Sequence, residues 1–453
     1  MTKTQDDGKA LGDLRAAFDE MLNSFAAGRD AIDDPTLKPP EATARNLAEG
    51  YRYLMGYVAA GVERSFAEDV NFPYFRRAMP LHNKSTWDNA DNLYLSAAID
   101  GQQTYRIRGR ALDTRHWRGE APAAGLRAPL YAIFSAVTHY TGDSGNIAEL
   151  VPAVTNNAGS LDTNELTLSL DGHFEILVGP QKPDGYNGNF ICSTTSFEGA
   201  DQTASYLICR QLFGDWDNER NLELEIVNLS KIGQPQPVAD AAVVAQRLRR
   251  TGELVNHQMR FWNDFFATIL NGYGDSPIVT DYAYPPPNST IQPSPPSATV
   301  GAAQATNIYA GGLFELKPDQ ALIIEQTIPV EPVYTGFNLN NIWGESYDYA
   351  NYVSSLNNVQ AIADGDGKVR YVVAHEDPGA NNWLDTTGHA FGMLSQRWAY
   401  HEAPEQLPTV ACKTVQLAEL RQHLPDDTTF VSPDERREQI RVRQSHTQRR
   451  FAN

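Results

Sequence analysis

The stretch DNLYLSAAIDGQQTYRIRGR, residues 91–110, alternates between apolar and polar side chains on both sides of an Asp-Gly pair. A period of two is typical of a β-strand with one buried face, and Asp-Gly favours a tight turn. The stretch therefore predicts a β-hairpin. The stretch ELTLSLDGHFEILVG, residues 165–179, repeats the pattern with a second Asp-Gly pair.

Further short strands are predicted along the chain, separated by turns rich in Gly, Asn and Asp. They are SYLICRQLF at 205–213, NLELEIVNL at 221–229, ALIIEQTI at 321–328, VYTGFNL at 333–339 and a hairpin at 359–375. This spacing favours antiparallel sandwiches over βαβ units. The predicted fold class is α+β, with two antiparallel, jelly-roll-like β-sandwich halves.

Helical periodicity separates these β-rich regions. Apolar side chains recur at three- and four-residue steps in 9–34 and 41–66, which predicts an N-terminal helical hairpin, and in 237–271, which predicts a long connecting helix. The predicted units are the hairpin at 1–70, a β-rich domain at 71–235, the long helix with a proline-rich connector at 236–310, a β-sandwich domain at 311–412, and a C-terminal helix with a basic tail at 413–453.

The composition narrows the range of partners. Lys and Arg number 37 against 56 Asp and Glu, a formal net charge of −19, which argues against a general affinity for nucleic acid or anionic membranes. We find no secretory signal and no apolar run long enough for a membrane span. Three widely spaced cysteines favour buried free thiols in a reducing cytosol, hence a cytoplasmic protein.

The C-terminal stretch DERREQIRVRQSHTQRR, residues 434–450, is basic on an acidic protein. One interpretation is a solvated helix or a frayed tail. The other is an arm that docks on an acidic neighbouring subunit. Together with the high aromatic content, the second interpretation makes a homo-oligomer plausible.

Two long motifs carry a family resemblance. NLNNIWGESYDYANYVSSLN, residues 338–357, and AHEDPGANNWLDTTGH, residues 374–389, resemble the bacterial domain-of-unknown-function family numbered 1214, which is often paired with the family numbered 1254. The resemblance is best over about residues 320–400. It implies β-sandwich, jelly-roll-like domains with helical additions, and it suggests a hydrolytic role.

The second motif supplies the candidate catalytic residues His375, Asp377, Asp385 and His389. An extended chain places His375 and Asp377 on one side, and a helical turn would place Asp385 beside His389. The set His375, Asp385 and His389 matches ligands for zinc, nickel or iron, and without a metal the same groups suit acid–base catalysis. The alternative is a capped turn with structural histidines.

Aromatic and charged residues nearby are candidate ligand-binding groups. An aromatic rim with an acid would hold substrate hydroxyls or an amine, a tryptophan would exclude water, and an arginine would bind a carboxylate. These residues are Trp343, Glu345, Tyr347, Asp348, Trp383 and Arg397. Packing at an interface explains the aromatic residues equally well.

Arg210, at the end of an apolar strand, is interpreted as a structural clamp for the carboxylates of Asp215 and Asp217.

The leading functional hypothesis is an enzyme that acts on a small, partly apolar molecule in a pocket between the β-rich halves. Hydrolysis is the reaction that the family resemblance suggests. The alternative is a non-catalytic ligand-binding or oligomeric scaffold module.

Overall fold

The computed structural model describes residues 2–37, 41, 43–121, 124–270, 286–295 and 306–452. Within these ranges the α-helices are α1 (Thr2–Asp33), α2 (Ala44–Phe66), α3 (Ala241–Leu270) and α4 (Pro433–Phe451), and short 3-10 turns occur at Arg115–Arg118, Ile147–Glu149, Leu229–Lys231 and Leu417–His423. The helices predicted from periodicity are confirmed, whereas much of the proline-rich connector lies outside the described residues. No helix in the described ranges is long and apolar enough to cross a membrane.

The first β-sandwich follows α2. Its strands are β1 (Arg76–Arg77), β2 (Asn92–Ala98), β3 (Tyr105–Arg110), β4 (Tyr131–Val137), β5 (Asn157–Asp162), β6 (His173–Gly179), β7 (Asn189–Cys192), β8 (Thr194–Phe197), β9 (Ala200–Thr203), β10 (Tyr206–Leu212) and β11 (Glu223–Asn228). One sheet has the order β1-β2-β10-β4-β5 and the facing sheet has the order β11-β3-β6-β7, while β8 and β9 form a separate hairpin.

The second β-sandwich follows α3. Its strands are β12 (Ser289–Thr290), β13 (Asn307–Glu315), β14 (Gln320–Thr327), β15 (Tyr334–Asn340), β16 (Ser355–Asn357), β17 (Val369–Ala374), β18 (Trp383–Asp385), β19 (Phe391–Ala399) and β20 (Thr409–Gln416). The sheet orders are β12-β13-β19-β15-β16 and β18-β17-β14-β20. The α+β class with two β-sandwich halves is confirmed.

The two sandwiches have the same strand order. In the five-stranded sheets, β12, β13, β15, β16 and β19 occupy the places of β1, β2, β4, β5 and β10. In the four-stranded sheets, β14, β17, β18 and β20 occupy the places of β3, β6, β7 and β11. Each four-stranded sheet also ends in a parallel pair, β6 with β7 and β17 with β18. The chain therefore contains one sandwich topology twice, with β8 and β9 added to the first copy.

The predicted hairpin at residues 91–110 is wrong in its pairing. Its two strands belong to facing sheets, because β2 pairs with β1 and β10 whereas β3 pairs with β6 and β11. The turn is a corner of the sandwich, where a Cβ on Gly101 would lie 2.7 Å from the Ala204 carbonyl oxygen. In the stretch 165–179, only His173–Gly179 is a strand. Alternation fixes the buried face of a strand but not its partner.

Three buried clusters hold these elements together. Each sandwich has its own core, built from the inward-facing residues of its two sheets. A third cluster joins α1, α2 and α3 through residues such as Ile32, Tyr53 and Met259. The predicted N-terminal hairpin is thus part of a three-helix unit that includes the connecting helix.

Helix α4 docks on its own chain and contacts both sandwiches. Ser432 caps its first turn together with Glu435. Arg436 binds Asp377 at 2.9 Å in the second half, and Arg450 donates to the Ala90 carbonyl oxygen at 2.5 Å in the first half. Arg443, between them, is also buried. These buried arginines are already engaged within the chain, so a neighbouring subunit could meet only the exposed face of α4.

Arg450→Ala should destabilise the protein by about 3 kcal/mol, because it leaves the buried Ala90 carbonyl and the His446 ring without their donor and opens a void beside Trp216. The matched control is Arg437→Ala on the same helix, where the side chain is 71% exposed, and its effect should stay below about 0.5 kcal/mol. Urea unfolding of the two variants measures the difference. If both variants lose the same small amount of free energy of unfolding, α4 does not join the sandwiches.

Candidate functional site

A cavity of about 610 Å³ lies between the two five-stranded sheets, with α2 and α3 completing its wall. We call it the inter-sandwich cavity. Its apolar wall includes Ile133, Ile208 and Leu254, together with the aromatic side chains of Trp262 and Phe265. The volume falls within the range of roughly 300–1,000 Å³ typical of small-molecule sites.

Strand alternation explains how polar side chains reach this cavity. On β2, Leu93 and Leu95 point into the core of the first sandwich, so the intervening side chains of Asn92, Tyr94 and Ser96 face the cavity. The same alternation operates on β13 in the second sandwich. Each five-stranded sheet therefore has one face in a sandwich core and the other face on the cavity.

Equivalent strands place the same residue types on the two cavity walls. The central strands β10 and β19 carry Arg210 and Arg397, which lie opposite Tyr94 on β2 and Tyr309 on β13. Two residues further along, Leu212 lies opposite Tyr131 and Asn92, whereas Ala399 lies opposite Tyr334 and Asn307. All eight polar residues line the cavity: Asn92, Tyr94, Tyr131, Arg210, Asn307, Tyr309, Tyr334 and Arg397. Each wall thus provides one arginine, two tyrosines and one asparagine in matching register.

The two asparagines make the same contact. The Asn92 amide donates to the Tyr94 hydroxyl at 3.2 Å, and the Asn307 amide donates to the Tyr309 hydroxyl at 3.2 Å. In both strands the first residue therefore donates a hydrogen bond to the third, so the two walls agree in side-chain contacts as well as in strand register.

The remaining two tyrosines are each anchored to a carboxylate. Tyr131 donates to Asp162 at 3.0 Å, and Tyr334 donates to Asp91 at 2.6 Å. Burial raises the pKa of both tyrosines, and in each case the arginine of the same sheet offsets part of the rise. Each hydroxyl is therefore a neutral donor to its carboxylate, and both rings form part of the cavity wall.

Arg397 brings positive charge to the cavity without an ion-pair partner in the described part of the chain. Its Nη2 donates to the Trp87 carbonyl oxygen at 2.8 Å and to the Ser395 hydroxyl at 3.1 Å, and its buried Nε has no hydrogen-bond partner among the described residues. The Arg210 guanidinium lies 5.9 Å from the centre of the Tyr94 ring. Asp215, which the sequence associates with Arg210, binds Arg127 at 2.7 Å.

His139 is the titratable imidazole in the cavity wall. Its Nε2 lies 3.1 Å from the Glu149 carboxylate, and this hydrogen bond raises the pKa of His139. Burial opposes ionisation of Glu149, but hydrogen bonds from His139 and Ser144 lower its pKa. A histidine oriented by a carboxylate can transfer protons at neutral pH.

The predicted metal ligands do not form a metal site. His375 donates from Nε2 to the Leu316 carbonyl oxygen at 3.1 Å and accepts at Nδ1 from the Thr386 hydroxyl at 2.8 Å. The ring nitrogens of His389 face the Thr386 carbonyl oxygen and the Glu49 carboxylate, at 2.9 and 2.6 Å. Both imidazoles are therefore committed to protein partners. No group of three or more His, Cys, Asp or Glu suited to a metal occurs in the described ranges.

The candidate carboxylates are also engaged locally. Asp377 pairs with Arg436 of α4, and the Asp385 carboxylate accepts from the Thr387 backbone at 2.7 Å. Asp385 ends β18 and is followed by a turn, so the predicted helical pairing with His389 is wrong. Trp383 packs in the second sandwich core and donates to the Ala374 carbonyl oxygen at 3.1 Å. The alternative of a capped turn fits this geometry.

The predicted aromatic rim lies outside the inter-sandwich cavity. Trp343 packs on the three-helix unit and donates to the Asn46 carbonyl oxygen at 3.0 Å, and Tyr347 stacks on His389 with ring centres 4.1 Å apart. Asp348 caps a turn on the surface, and Glu345 is buried against Arg52. Of the ten predicted site residues, only Arg397 lines the cavity.

Sequence reasoning missed most of the cavity residues. A faint signal was present, because Asn92-Leu93-Tyr94 and Asn307-Ile308-Tyr309 repeat the pattern Asn-apolar-Tyr at the start of a strand. Two copies of so short a pattern 215 residues apart carry little information until the strands are seen in equivalent positions.

The comparisons with known proteins support the fold and leave the function open. The chain is similar to an uncharacterized protein from Burkholderia cenocepacia whose crystal structure is known, with a TM-score of 0.65, 22% identity, and coverage of 92% of this chain and 98% of that one. A protein from Vibrio parahaemolyticus gives a TM-score of 0.38 at 12% identity, covering 87% and 100% of the chains. No family model and no curated protein matches the chain.

Glu345 should make the stability of the protein depend on pH. Burial raises its folded-state pKa to about 7, above the ordinary value of 4.5, so the folded state binds this proton more tightly than the unfolded state. The stabilisation of the folded state by this proton is fully present below pH 4.5 and is lost as the pH rises towards 7. The stability of Glu345→Gln relative to the unmodified protein should therefore increase by up to about 3 kcal/mol over that window.

Urea unfolding at several pH values measures this difference. The matched control is Glu223→Gln, which removes an exposed carboxylate from β11. If the free energies of unfolding of Glu345→Gln and the unmodified protein instead differ by the same amount at every pH, Arg52 and Lys84 keep Glu345 ionised.

Proposed function

We propose that this chain binds a small, partly apolar molecule with an acidic group in the inter-sandwich cavity. The observation that carries the proposal is the composition of the cavity wall, which combines apolar side chains such as Ile133 and Leu254 with Arg397, and Arg397 forms no ion pair with a carboxylate of the described residues. A guanidinium in such surroundings binds a carboxylate strongly, because little water competes for either charge.

The negative net charge of the chain makes the cavity a preferred place for an anion. The protein carries a formal net charge of −19, which repels anions from most of its surface. An anionic ligand is attracted where arginine is exposed to the cavity. Apolar contacts with Ile133, Ile208 and Trp262 would then supply affinity for the rest of the molecule.

Octanoate is a suitable first probe, and its binding can be measured by isothermal titration calorimetry. Ala60 on α2 lines the cavity, whereas the adjacent Ala59 is exposed. Ala60→Trp should fill part of the cavity and weaken octanoate binding at least about tenfold, and Ala59→Trp should bind as the unmodified protein does. Octanoate binding that is absent, or equal in all three proteins, would contradict the proposal.

Catalysis is a second candidate function, favoured by the His139–Glu149 pair in the cavity wall. In a hydrolysis, His139 would take a proton from water as the water attacks an ester carbonyl, and would return the proton to the leaving alkoxide. Glu149 would orient the imidazole and stabilise its charged form. This assignment moves the proposed acid–base role from His375 and His389 to a residue that the sequence did not single out.

If the chain is a hydrolase, it should hydrolyse 4-nitrophenyl octanoate, and His139→Gln should lower the rate about 100-fold. Ala60→Trp should also lower the rate, because it obstructs the cavity. Release of nitrophenolate, followed by absorbance, measures both effects. A rate that is unaffected by His139→Gln would favour the non-catalytic binding module.

Family and location also belong to the proposal. Membership of the domain-of-unknown-function family 1214 is supported by the motifs at 338–357 and 374–389. The three free cysteines, Cys192, Cys209 and Cys412, fit a reducing compartment such as the cytoplasm.

A further inference from the structure

Trp87 joins the charged part of the inter-sandwich cavity wall to the aromatic part. Its carbonyl oxygen accepts a hydrogen bond from Nη2 of Arg397 at 2.8 Å, and the centre of its indole ring lies 5.8 Å from that of Phe265, with the ring planes at 71°. The rings of Phe265 and Trp262 are 5.3 Å apart at 77°. All four residues line the cavity. The guanidinium therefore lies next to a group of aromatic rings in edge-to-face contact.

Two of these rings keep accessible surface. Trp262 is 3% exposed, whereas Trp87 and Phe265 are only partly buried, although both pack against the core of the three-helix unit. Because both rings line the cavity, a ligand there can contact them. An aromatic ring in such a place gains edge-to-face or offset stacking beyond the burial of apolar area, whereas an aliphatic chain gains the burial alone.

The backbone at Trp87 has an unfavourable conformation that its neighbours enforce. Thr86 and Trp87 have φ angles of 61° and 54°, in the left-handed region that β-branched and bulky residues rarely adopt. The Trp87 amide donates to the Gly344 carbonyl oxygen at 2.9 Å, and the indole Nε1 donates to Sδ of Met393 at 2.9 Å. Strain of this kind persists only where the surroundings impose it, and it clusters at binding sites. The carbonyl and the ring of Trp87 are thereby held in place on the cavity wall.

The Arg397 guanidinium has hydrogen-bonding capacity left for a ligand. Both of its hydrogen bonds to described residues come from Nη2, and its buried Nε has no hydrogen-bond partner among them. An unpaired buried N–H group is costly, and a ligand carboxylate would accept its hydrogen bond. The carbonyl and the indole of Trp87 are only a few bonds apart, so a ligand that meets both Arg397 and the rings needs only a short chain between its acid and its own ring.

We propose that the ligand of the inter-sandwich cavity is an aromatic carboxylic acid, with its carboxylate bound at Arg397 and its ring packed against Trp87 and Phe265. This inference rests on the proposed function and makes it more specific. Trp87 is then a specificity-determining residue, because one side chain positioned by a strained backbone lies beside both ends of the ligand. A straight-chain acid would bind the same arginine and gain only the apolar contact.

The first experiment varies the ligand and leaves the protein unchanged. Calorimetry compares 4-phenylbutanoate with 4-cyclohexylbutanoate, which have the same chain length and the same number of carbon atoms but differ in the aromaticity of the ring. The phenyl acid should bind at least about fivefold more tightly, although the cyclohexyl acid is the more apolar of the two. Equal affinities, or a preference for the cyclohexyl acid, would overturn the inference. Binding of octanoate would then still support the proposed function, and if octanoate also fails to bind, both fall.

The second experiment removes one aromatic ring from the wall. Phe265→Leu keeps an apolar side chain but should lower the preference for 4-phenylbutanoate over 4-cyclohexylbutanoate to below about twofold, while octanoate binds as before. The matched control is Phe18→Leu on α1, where the side chain is 47% exposed and lies outside the cavity wall, and it should keep the full preference. A full preference in Phe265→Leu would contradict the assignment of the ring. If this variant fails to fold, the two ring acids in the unmodified protein decide alone.

The third experiment tests the carboxylate. 4-Phenylbutanoate should bind the unmodified protein at least about tenfold more tightly than its uncharged amide, 4-phenylbutanamide, and Arg397→Gln should abolish most of that difference. The exposed Arg108→Gln on β3 should leave it unchanged. Equal binding of acid and amide to the unmodified protein, or a difference that survives Arg397→Gln, would overturn the placement of the acid at Arg397. If Arg397→Gln fails to fold, the comparison of acid with amide in the unmodified protein decides.

Discussion

The arrangement of the two sandwiches depends on one buried carboxylate. Asp91, 2% exposed, accepts hydrogen bonds from Trp216 of the first half and from Tyr334 and Asn357 of the second, at 2.8, 2.6 and 2.9 Å. Burial raises the pKa of Asp91, while these donors and the nearby Arg450 favour its charged form. A buried charge is tolerated only when its partners are in place, so this network fixes how the halves meet.

The inter-sandwich cavity follows from that arrangement. Tyr334 bonds to Asp91 through its hydroxyl and contributes its ring to the cavity wall, so the contact between the halves also shapes the site. Helix α4 strengthens the same junction, because its buried arginines contact both sandwiches. The cavity is therefore a property of the assembled halves, and neither sandwich alone encloses it.

The conspicuous sequence motif turned out to occupy a structural position. The stretch 374–389 brings His375 and His389 to the same residue, Thr386, but every ring nitrogen faces a protein partner. Its role in the structure is to link the second sandwich with α2 through Glu49 and with α4 through Arg436. Histidine-rich loops attract attention because histidine can serve in chemistry, yet the same two nitrogens serve equally well as structural hydrogen-bonding groups.

The sequence by itself determined the elements and their buried faces, because periodicity records which side of a helix or strand meets the core. It indicated the two β-sandwich halves and the long connecting helix, and one of its candidate ligand-binding residues, Arg397, lines the inter-sandwich cavity. Only the tertiary structure decided that β2 and β3 lie in facing sheets and that Arg210 and Arg397 share one cavity. The pairing of β2 with β10, the pairing of β3 with β11 and the contact between the halves join residues more than 100 positions apart, and no local pattern encodes which partners meet.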